Sequence, residues 1–510
     1  RRHPSQDSVS GAGSCASQMW IEVADRGGEL GATRAGVTGE APSDVLWHYN
    51  LSARHLDKLC ERVDTFSVSG DGERLVVRHR DDTIVVPSSH KVDDDDPAYI
   101  RVDLTRLRRT VNPRAEWRQM FDENGRLMAS HYWREDMNGV DWDSVLNRYR
   151  PLVDLCHVVD DLHDILWETV AELNTSHSYV SASGAAGDSD MRAGLLGADV
   201  SSGNDGAKVV RVIPGESSDP RAWSPLRAAG VAVTEGDVIV AVDGRKVGAD
   251  GNLGELLEGS AGRVVELTVR RGENERQVAV VPMADEAPLR YHDWVASRRR
   301  YVEEHSGGRL GYLHVPDMVS DGWAELHRQI GEATRHEGVI ADVRFNHGGH
   351  TSQLVVERLA RRVVGWDYSR WYATADTYPQ NAVRGPIVMV TNQWAGSDGD
   401  IVAAATQAMG YAKVIGERSW GGVVGIDGRF DLVDGTSVTQ PRYAGWYGSY
   451  GWGVENHGVD PDIVVTVSPE DWEADCDVQL DAAIAECLRQ LDDKPAATAP
   501  ELPGPAFDRC

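Results

Sequence analysis

The sequence predicts a multidomain chain of the α/β plus β class, and three observations predict it. Through residues 286–490, apolar strands alternate with helical patterns, the signature of a largely parallel sheet layered with helices. Residues 98–182 carry apolar side chains at helical spacing. Short apolar runs closed by Gly, Asp and Ser flank that stretch on both sides, as β-rich modules do. A length of 510 residues suits three or four domains at about 150 residues each.

Residues 1–18 are polar and rich in Gly and Ser, and are expected to be disordered. Short strands follow at Met19–Val23, Phe66–Ser69, Arg74–Arg78 and Thr83–Val86, the last two joined as a hairpin through Arg80-Asp81-Asp82. Residues 1–95 thus read as a disordered N-terminus and a partial β-propeller remnant, a blade or two of a propeller or another β-meander. The run Asp93-Asp94-Asp95-Asp96-Pro97 lacks the alternating ligand spacing and the Gly of a calcium loop, and reads as a solvated linker.

Residues 96–182 predict a helical, bundle-like domain. Glu116–Met128 and Trp142–Tyr149 are helical, and Leu152–Leu173 reads as one longer helix with Val159, Leu162, Ile165, Leu166 and Val170 on a stripe. It stops at the polar cluster Asn174-Thr175-Ser176-His177-Ser178.

Residues 183–285 turn Gly-rich and strand-rich. Glu235-Gly236-Asp237 makes a tight turn into the apolar run Val238–Val242, and Asp243-Gly244 makes a hairpin turn out of it. Leu253–Leu257 predicts a short helix, and Val264–Arg270 with Arg276–Val281 a closing hairpin. The order resembles the core of a PDZ domain, a small β-barrel whose sheet edge takes extended peptide ends. It either binds peptide termini or braces its neighbour.

Strands at Gly311–Val315, Gly338–Arg344, Pro386–Thr391 and Lys413–Glu417 alternate with helices at Gly322–Thr334, Ser352–Val363 and Asp398–Met409 across 286–490. Leu480, Ile484 and Leu488 mark a terminal amphipathic helix, and residues 491–510 read as a loose, Pro/Ala-rich tail.

Composition excludes several functions. Lys plus Arg number 52 against 80 Asp plus Glu, so the net charge is 52 − 80 = −28. A chain this acidic is a poor nucleic-acid binder and is repelled by anionic membrane surfaces. No stretch approaches the roughly 18 uninterrupted apolar residues of a membrane-spanning helix. Cys15, Cys60, Cys156, Cys476, Cys487 and Cys510 are scattered, with neither zinc-ligand spacing nor a disulfide framework, and read as free thiols in a reducing cytoplasm. Arg1-Arg2-His3-Pro4 opens no apolar signal segment, and the chain lacks an initiator Met, as expected of a processed chain or a piece of a longer one.

Two segments can carry chemistry. In Val388–Asp400 an apolar strand runs through Trp394-Ala395-Gly396 into Ser397, where a helix starts at once. A serine there projects at the carboxyl edge of a sheet, beside helix amides that can stabilise an oxyanion. An ordinary N-cap serine fits the same pattern. In Ala341–His350 a buried strand ends in Gly348-Gly349, where backbone N–H groups can approach a ligand, as either half of an oxyanion hole or a plain strand-end turn. A nucleophilic serine needs a base. His177 lies on a polar turn, and His347, His350 and His457 lie near the other motifs, either as exposed loop histidines or as part of a metal site.

Five segments resemble those of the tricorn protease family: Thr175–Tyr179, Asp342–Gly349, Ala395–Ile401, Trp420–Ile426 and Gly453–Asp462. Ala115–Glu123 resembles it too, and the order of motifs matches over roughly residues 65–490. The resemblance implies an α/β layered domain like that of crotonases, the helical and PDZ-like domains before it, and propellers ahead of them, of which this chain has room only for a stub. It implies a cytoplasmic serine peptidase with a Ser-His-Ser-Glu tetrad. Ser397 is then the nucleophile, His177 the base, and Ser176 and Glu455 the groups behind the base. The N–H groups of Gly349 and Asp398 form the oxyanion hole, and Asp367 receives a basic P1 side chain. Oligopeptides or unfolded polypeptides, possible products of the proteasome, are the implied substrates. A homo-oligomeric ring, a hexamer, is the implied assembly, and no metal or other cofactor is needed. The related C-terminal-processing proteases use a Ser/Lys dyad, but the corresponding turn here, Trp420-Gly421-Gly422-Val423, has no lysine, and the nearest, Lys413, starts a strand. His347 replaces a family glycine, and His350 and His457 replace aromatic residues; they are expected to reshape the primed side or add a group titrating near pH 6.5 (about the free histidine value). A non-catalytic PDZ-containing scaffold of the same fold is the alternative, but it has no reason to keep four tetrad residues in separate motifs.

Overall fold

The computed structural model describes residues 17–22, 44–79, 82–108, 110–182, 191–248, 252–371, 373–428 and 430–502. Of residues 1–18, expected to be disordered, Ser17 and Gln18 instead open the first strand by pairing with Asn50 and Tyr49, while residues 1–16, the Arg80-Asp81 turn, Cys15, Cys510 and the end of the tail lie outside the described residues. The chain divides into two compact units, Arg1–Val111 and Asn112–Cys510.

The first unit holds two antiparallel meanders. One joins Ser17–Glu22, Val45–Asn50 and His55–Glu61; the other joins Thr65–Val68, Arg74–His79, Asp82–Pro87 and Ile100–Val102. Leu46, Leu59, Leu75, Val77 and Val86 form their common core. The second sheet takes its last strand from beyond residue 95 and beyond the acidic run. The strands between 45 and 61 escaped the sequence reading because their inward alternation is weak, with His48 buried at one of the core-facing positions.

The second unit opens with helices Pro113–His131, Trp142–Val153 and Val159–Ala171. Asn112 and Asp141 cap the first two by accepting from Ala115 N and Ser144 N. The long helix expected over Leu152–Leu173 is two helices. The Asp161 carboxylate accepts from the N–H groups of His157 and Val158, at 2.7 and 3.2 Å, and so starts a new helix where the apolar stripe alone runs through.

Five PDZ-like strands pair antiparallel in the order Asn274–Val280, Val265–Arg271, Val238–Val242, Gly206–Val212, Ala198–Gly203. Asp243 and Gly244 both have positive φ, 46° and 74°, which gives the hairpin after Val242 the twist its strands require. The buried Asp237 carboxylate is held by Arg271 through two bonds of 2.6 Å.

The last domain is a five-stranded parallel sheet in the order Leu310–His314, Gly338–Asp342, Ile387–Thr391, Ala412–Gly416, Ile463–Val464. The first three strands are buried at every position, as a parallel sheet covered on both faces must be. Alternate residues separate into two cores. Val339, Ala341, Ile387 and Met389 pack with helices Ser320–Ala333, Ser352–Leu359 and Asp398–Met409. Ile340, Val388 and Val390 pack with Ala287–His305 and Val478–Asp493. Beside the second core lies a buried ionic knot. Arg344 donates to Asp342 at 2.7 Å and to Asp477 at 2.8 Å, Tyr312 donates to Asp342 at 2.9 Å, and Asp477 caps the terminal helix through Leu480 N. It ties the carboxyl end of a central strand to that helix.

Candidate active site

Ligands of open parallel sheets gather at the carboxyl ends of the strands. Here the loops leaving Asp342 and Thr391 meet. Gly396 N donates to Asn346 O at 3.0 Å, and the buried Asn392 side chain accepts from Phe345 N and Trp394 N. The contact is close enough that a Cβ on Gly348 would lie 2.5 Å from Ser397 Cβ, and one on Gly399 would lie 3.0 Å from Asn346 Oδ1. Ser397 itself sits at φ 57°, ψ −120°, a conformation L-residues avoid, on a sharp strand-to-helix turn. It occupies the N-cap position of Asp398–Met409, but its hydroxyl makes no capping bond. The ordinary capping role is therefore vacant and the hydroxyl is left for the cleft.

The chain around Gly349 runs against Met318: Met318 N donates to Gly348 O, and His350 N and Thr351 N both donate to Met318 O. Gly349 takes φ +146°, and a Cβ there would lie 2.1 Å from Met318 O, so only glycine fits. Among the described residues, neither the Gly349 N–H nor the Asp398 N–H has an acceptor. The Asp398 side chain faces away from the cleft, accepting from Ser352 N at 2.8 Å and Ser352 Oγ at 2.5 Å.

His177 arrives from the helical segment. Val180–Ser181 pairs with Ser437–Val438, and the Thr439 hydroxyl donates to His177 O while accepting from Tyr179 N, so the turn carrying His177 is laced to the last domain. Ser176 Oγ lies 2.9 Å from His177 Nδ1 and donates to Glu455 Oε2 at 3.0 Å. Glu455 also accepts from Ser176 N, Val423 N and Val424 N at 2.7, 2.7 and 3.0 Å. Burial pushes the His177 imidazole below its ordinary pKa, and the Glu455 charge opposes that push.

Ser397 and His177 line one cleft of about 230 Å³, with Asn346, His347, Tyr179, Trp394 and Trp420. The structure contains no hydrogen bond between the Ser397 hydroxyl and His177. Asp367 is elsewhere, exposed on the two-stranded hairpin of Gly365–Asp367 with Asp376–Tyr378. Of the three departing histidines, His347 lines the cleft, His350 is exposed, and His457 pairs with Asp460 at 2.9 Å. Among the described residues no three His, Cys, Asp or Glu side chains are grouped to hold a metal ion.

Three family models match the chain: Peptidase family S41 over residues 309–465, Tricorn protease PDZ domain over 194–285 and Tricorn protease C1 domain over 113–171. Over 481 residues the chain is 56% identical to Tricorn protease homolog 1 of Streptomyces coelicolor, covering 93% of this chain and 45% of that protein. Over 454 residues it is 35% identical to Tricorn protease of Thermoplasma acidophilum, covering 89% of this chain and 42% of that protein. A crystal structure of the tricorn protease superposes with a TM-score of 0.83 at 33% identity, covering 94% of this chain and 46% of that one. The chain belongs to the tricorn protease family. It spans less than half the length of these relatives. The tricorn C1 match falls on the three helices that precede His177, the tricorn PDZ match on the antiparallel sheet after it, and the peptidase match on the parallel sheet that carries Ser397.

Sequence reasoning missed Asn392, Thr439 and Asp400. Asp400 is fully buried and accepts from Ser419 Oγ at 2.5 Å, Gly421 N at 2.8 Å and Gly422 N at 3.3 Å; burial pushes its carboxyl up to about 6. Its only signal in the sequence was a second acidic residue in the first turn of a helix whose next residues are apolar.

Proposed function

We propose that this tricorn-family chain is a serine peptidase that hydrolyses peptide bonds in oligopeptides or unfolded polypeptides. The observation that carries the reading is the chain of hydrogen bonds from Glu455 through Ser176 to His177, in the same cleft as an uncapped Ser397 on a strained turn. The Ser176 hydroxyl has one proton, and it points at the Glu455 carboxylate, which can only accept. Toward His177 the hydroxyl must therefore accept, so Nδ1 carries the ring proton and Nε2 keeps its lone pair. Nε2 takes the proton of Ser397 as Oγ attacks the scissile carbonyl, then returns it to the leaving amine. Glu455 and Ser176 stabilise the imidazolium formed in between. The Gly349 and Asp398 amides receive the oxyanion, the second with the help of the helix dipole. Water repeats the sequence on the acyl-enzyme.

A basic P1 preference through Asp367, a hexameric ring, a cytoplasmic site of action and substrates released by the proteasome belong to the same proposal and rest on the resemblance. No helix of the described residues is long and apolar enough to cross a membrane. Labelling with a fluorophosphonate tests the class: covalent capture on Ser397, lost in Ser397→Ala and strongly slowed in His177→Ala, is expected. Capture that persists in Ser397→Ala would sink the reading. For Asp367→Ala, a selective fall in kcat/KM for Lys and Arg at P1 is expected across a fluorogenic peptide panel; equal losses at every P1 would remove Asp367 from specificity.

A further inference from the structure

Nucleophile and base reach the cleft on different elements, yet one loop grips the supports of both. In Ser419–Val424, four consecutive amides are shared between the buried Asp400 carboxylate and the half-buried Glu455 carboxylate. Gly421 N and Gly422 N donate to Asp400 at 2.8 and 3.3 Å, while Val423 N and Val424 N donate to Glu455 at 2.7 and 3.0 Å. The Ser419 hydroxyl adds a bond to Asp400 at 2.5 Å and accepts from Val459 N at 2.8 Å. Asp400 lies in the first turn of the helix that Ser397 opens, and its own N–H donates to Ser397 O at 2.9 Å. Trp420, on the same loop, sets its ring 5.6 Å from His177 edge-on and packs so closely on the nucleophile turn that a Cβ on Gly396 would lie 2.7 Å from it. Gly421 takes φ +90°, and a Cβ there would lie 2.5 Å from Gly458 N, so the loop has no slack against the turn that follows Glu455.

We propose that Asp400 is a positioning residue for the peptidase reaction. By holding the Ser419 hydroxyl and the Gly421 and Gly422 amides, it fixes the loop that Glu455 holds from the other side, and so sets the separation between Ser397 and the Glu455–Ser176–His177 relay. Asp400 does not line the cleft and touches no reacting atom. Among the described residues it has no basic ion-pair partner, so it is not one half of a fold-stabilising salt bridge. Its oxygens take their bonds from this loop and from the Ser397 backbone. The inference rests on the serine peptidase reading above.

Asp400→Asn keeps the size of the side chain but turns a donor toward the loop amides. Its expected result is a roughly 10- to 100-fold fall in kcat with KM little changed, the loss that follows from misplacing reacting groups by a fraction of an ångström to about 1 Å. Fluorophosphonate labelling of Ser397 is expected to slow in the same proportion while Tm stays near that of the parent chain. Ser419→Ala removes the hydroxyl link alone and is expected to show the same split with a smaller loss; it decides the matter if Asp400→Asn fails to fold. Wild-type kcat in the folded variants, or a loss that merely tracks the folded fraction, would overturn the role of Asp400. Ser397→Ala on the same substrate separates the two readings. Unchanged hydrolysis there ends the peptidase reading itself, whereas abolished hydrolysis beside an unimpaired Asp400→Asn ends only the positioning role.

Discussion

His177 is held at φ 60°, in a backbone conformation that bulky residues rarely adopt, with its ring edge against Tyr179 and Trp420. Those contacts strip water from the imidazole and favour its neutral form. A general base works only while neutral, so the downward shift extends activity to lower pH. The acid limb of kcat/KM is expected to lie below the free histidine value of about 6.5. Glu455→Gln removes the charge that raises the His177 pKa, and is expected to move that limb lower still while reducing kcat. A wild-type limb above the free value, or an upward move in Glu455→Gln, contradicts this account. The local pattern marked Ser397, after a small-residue turn, as a candidate, but it was the resemblance to the family that singled out Ser397 and chose His177 from among four histidines. Asp400 was not legible. Its meaning comes from Ser419 and Gly421, which lie one strand later in the chain, and no local spacing records that pairing.

At the scale of elements, strand and helix positions in the last domain follow hydrophobic pattern closely, since strands buried on both faces leave continuous apolar runs. Pattern failed where a polar side chain decides. The break between Val153 and Val159 depends on one carboxylate, Asp161, reaching back to two amides. The knot of Asp342, Arg344 and Asp477 was equally invisible, joining residues 133 positions apart. Arg344 is almost wholly buried, so removing it leaves the buried Asp342 without its cation and Asp477 with Arg298 alone, at 3.2 Å. Arg344→Ala is expected to destabilise the second unit by about 3–5 kcal/mol. Calorimetry resolving its transition checks this, and a loss under about 1 kcal/mol would mean that the carboxylates find other partners.

For the whole molecule, the excess of acidic residues shapes association more than chemistry. A net charge of −28 makes copies of the chain repel one another. If the proposed ring forms, it forms against that repulsion, and added salt screens it. Light scattering is therefore expected to give a mass that rises toward six times 55.8 kDa as ionic strength increases. A monomeric mass at every salt concentration would remove the hexamer from the proposal. Most of the second β-sheet was readable as turn-punctuated strands, but the sequence placed the boundary at residue 95 and the division falls at Val111, because Ile100–Val102 is too short to stand out from the linker.

The bond from Ser176 to Glu455 spans 279 positions. During synthesis the residue that becomes the base leaves the ribosome early, the serine later, and the carboxylate that orients the pair later still. On the peptidase reading, a chain made past Ser397 but short of Glu455 displays its nucleophile without a working relay. Proteolytic competence then switches on only when the catalytic domain is nearly complete, which protects the nascent chain and its neighbours from premature cleavage.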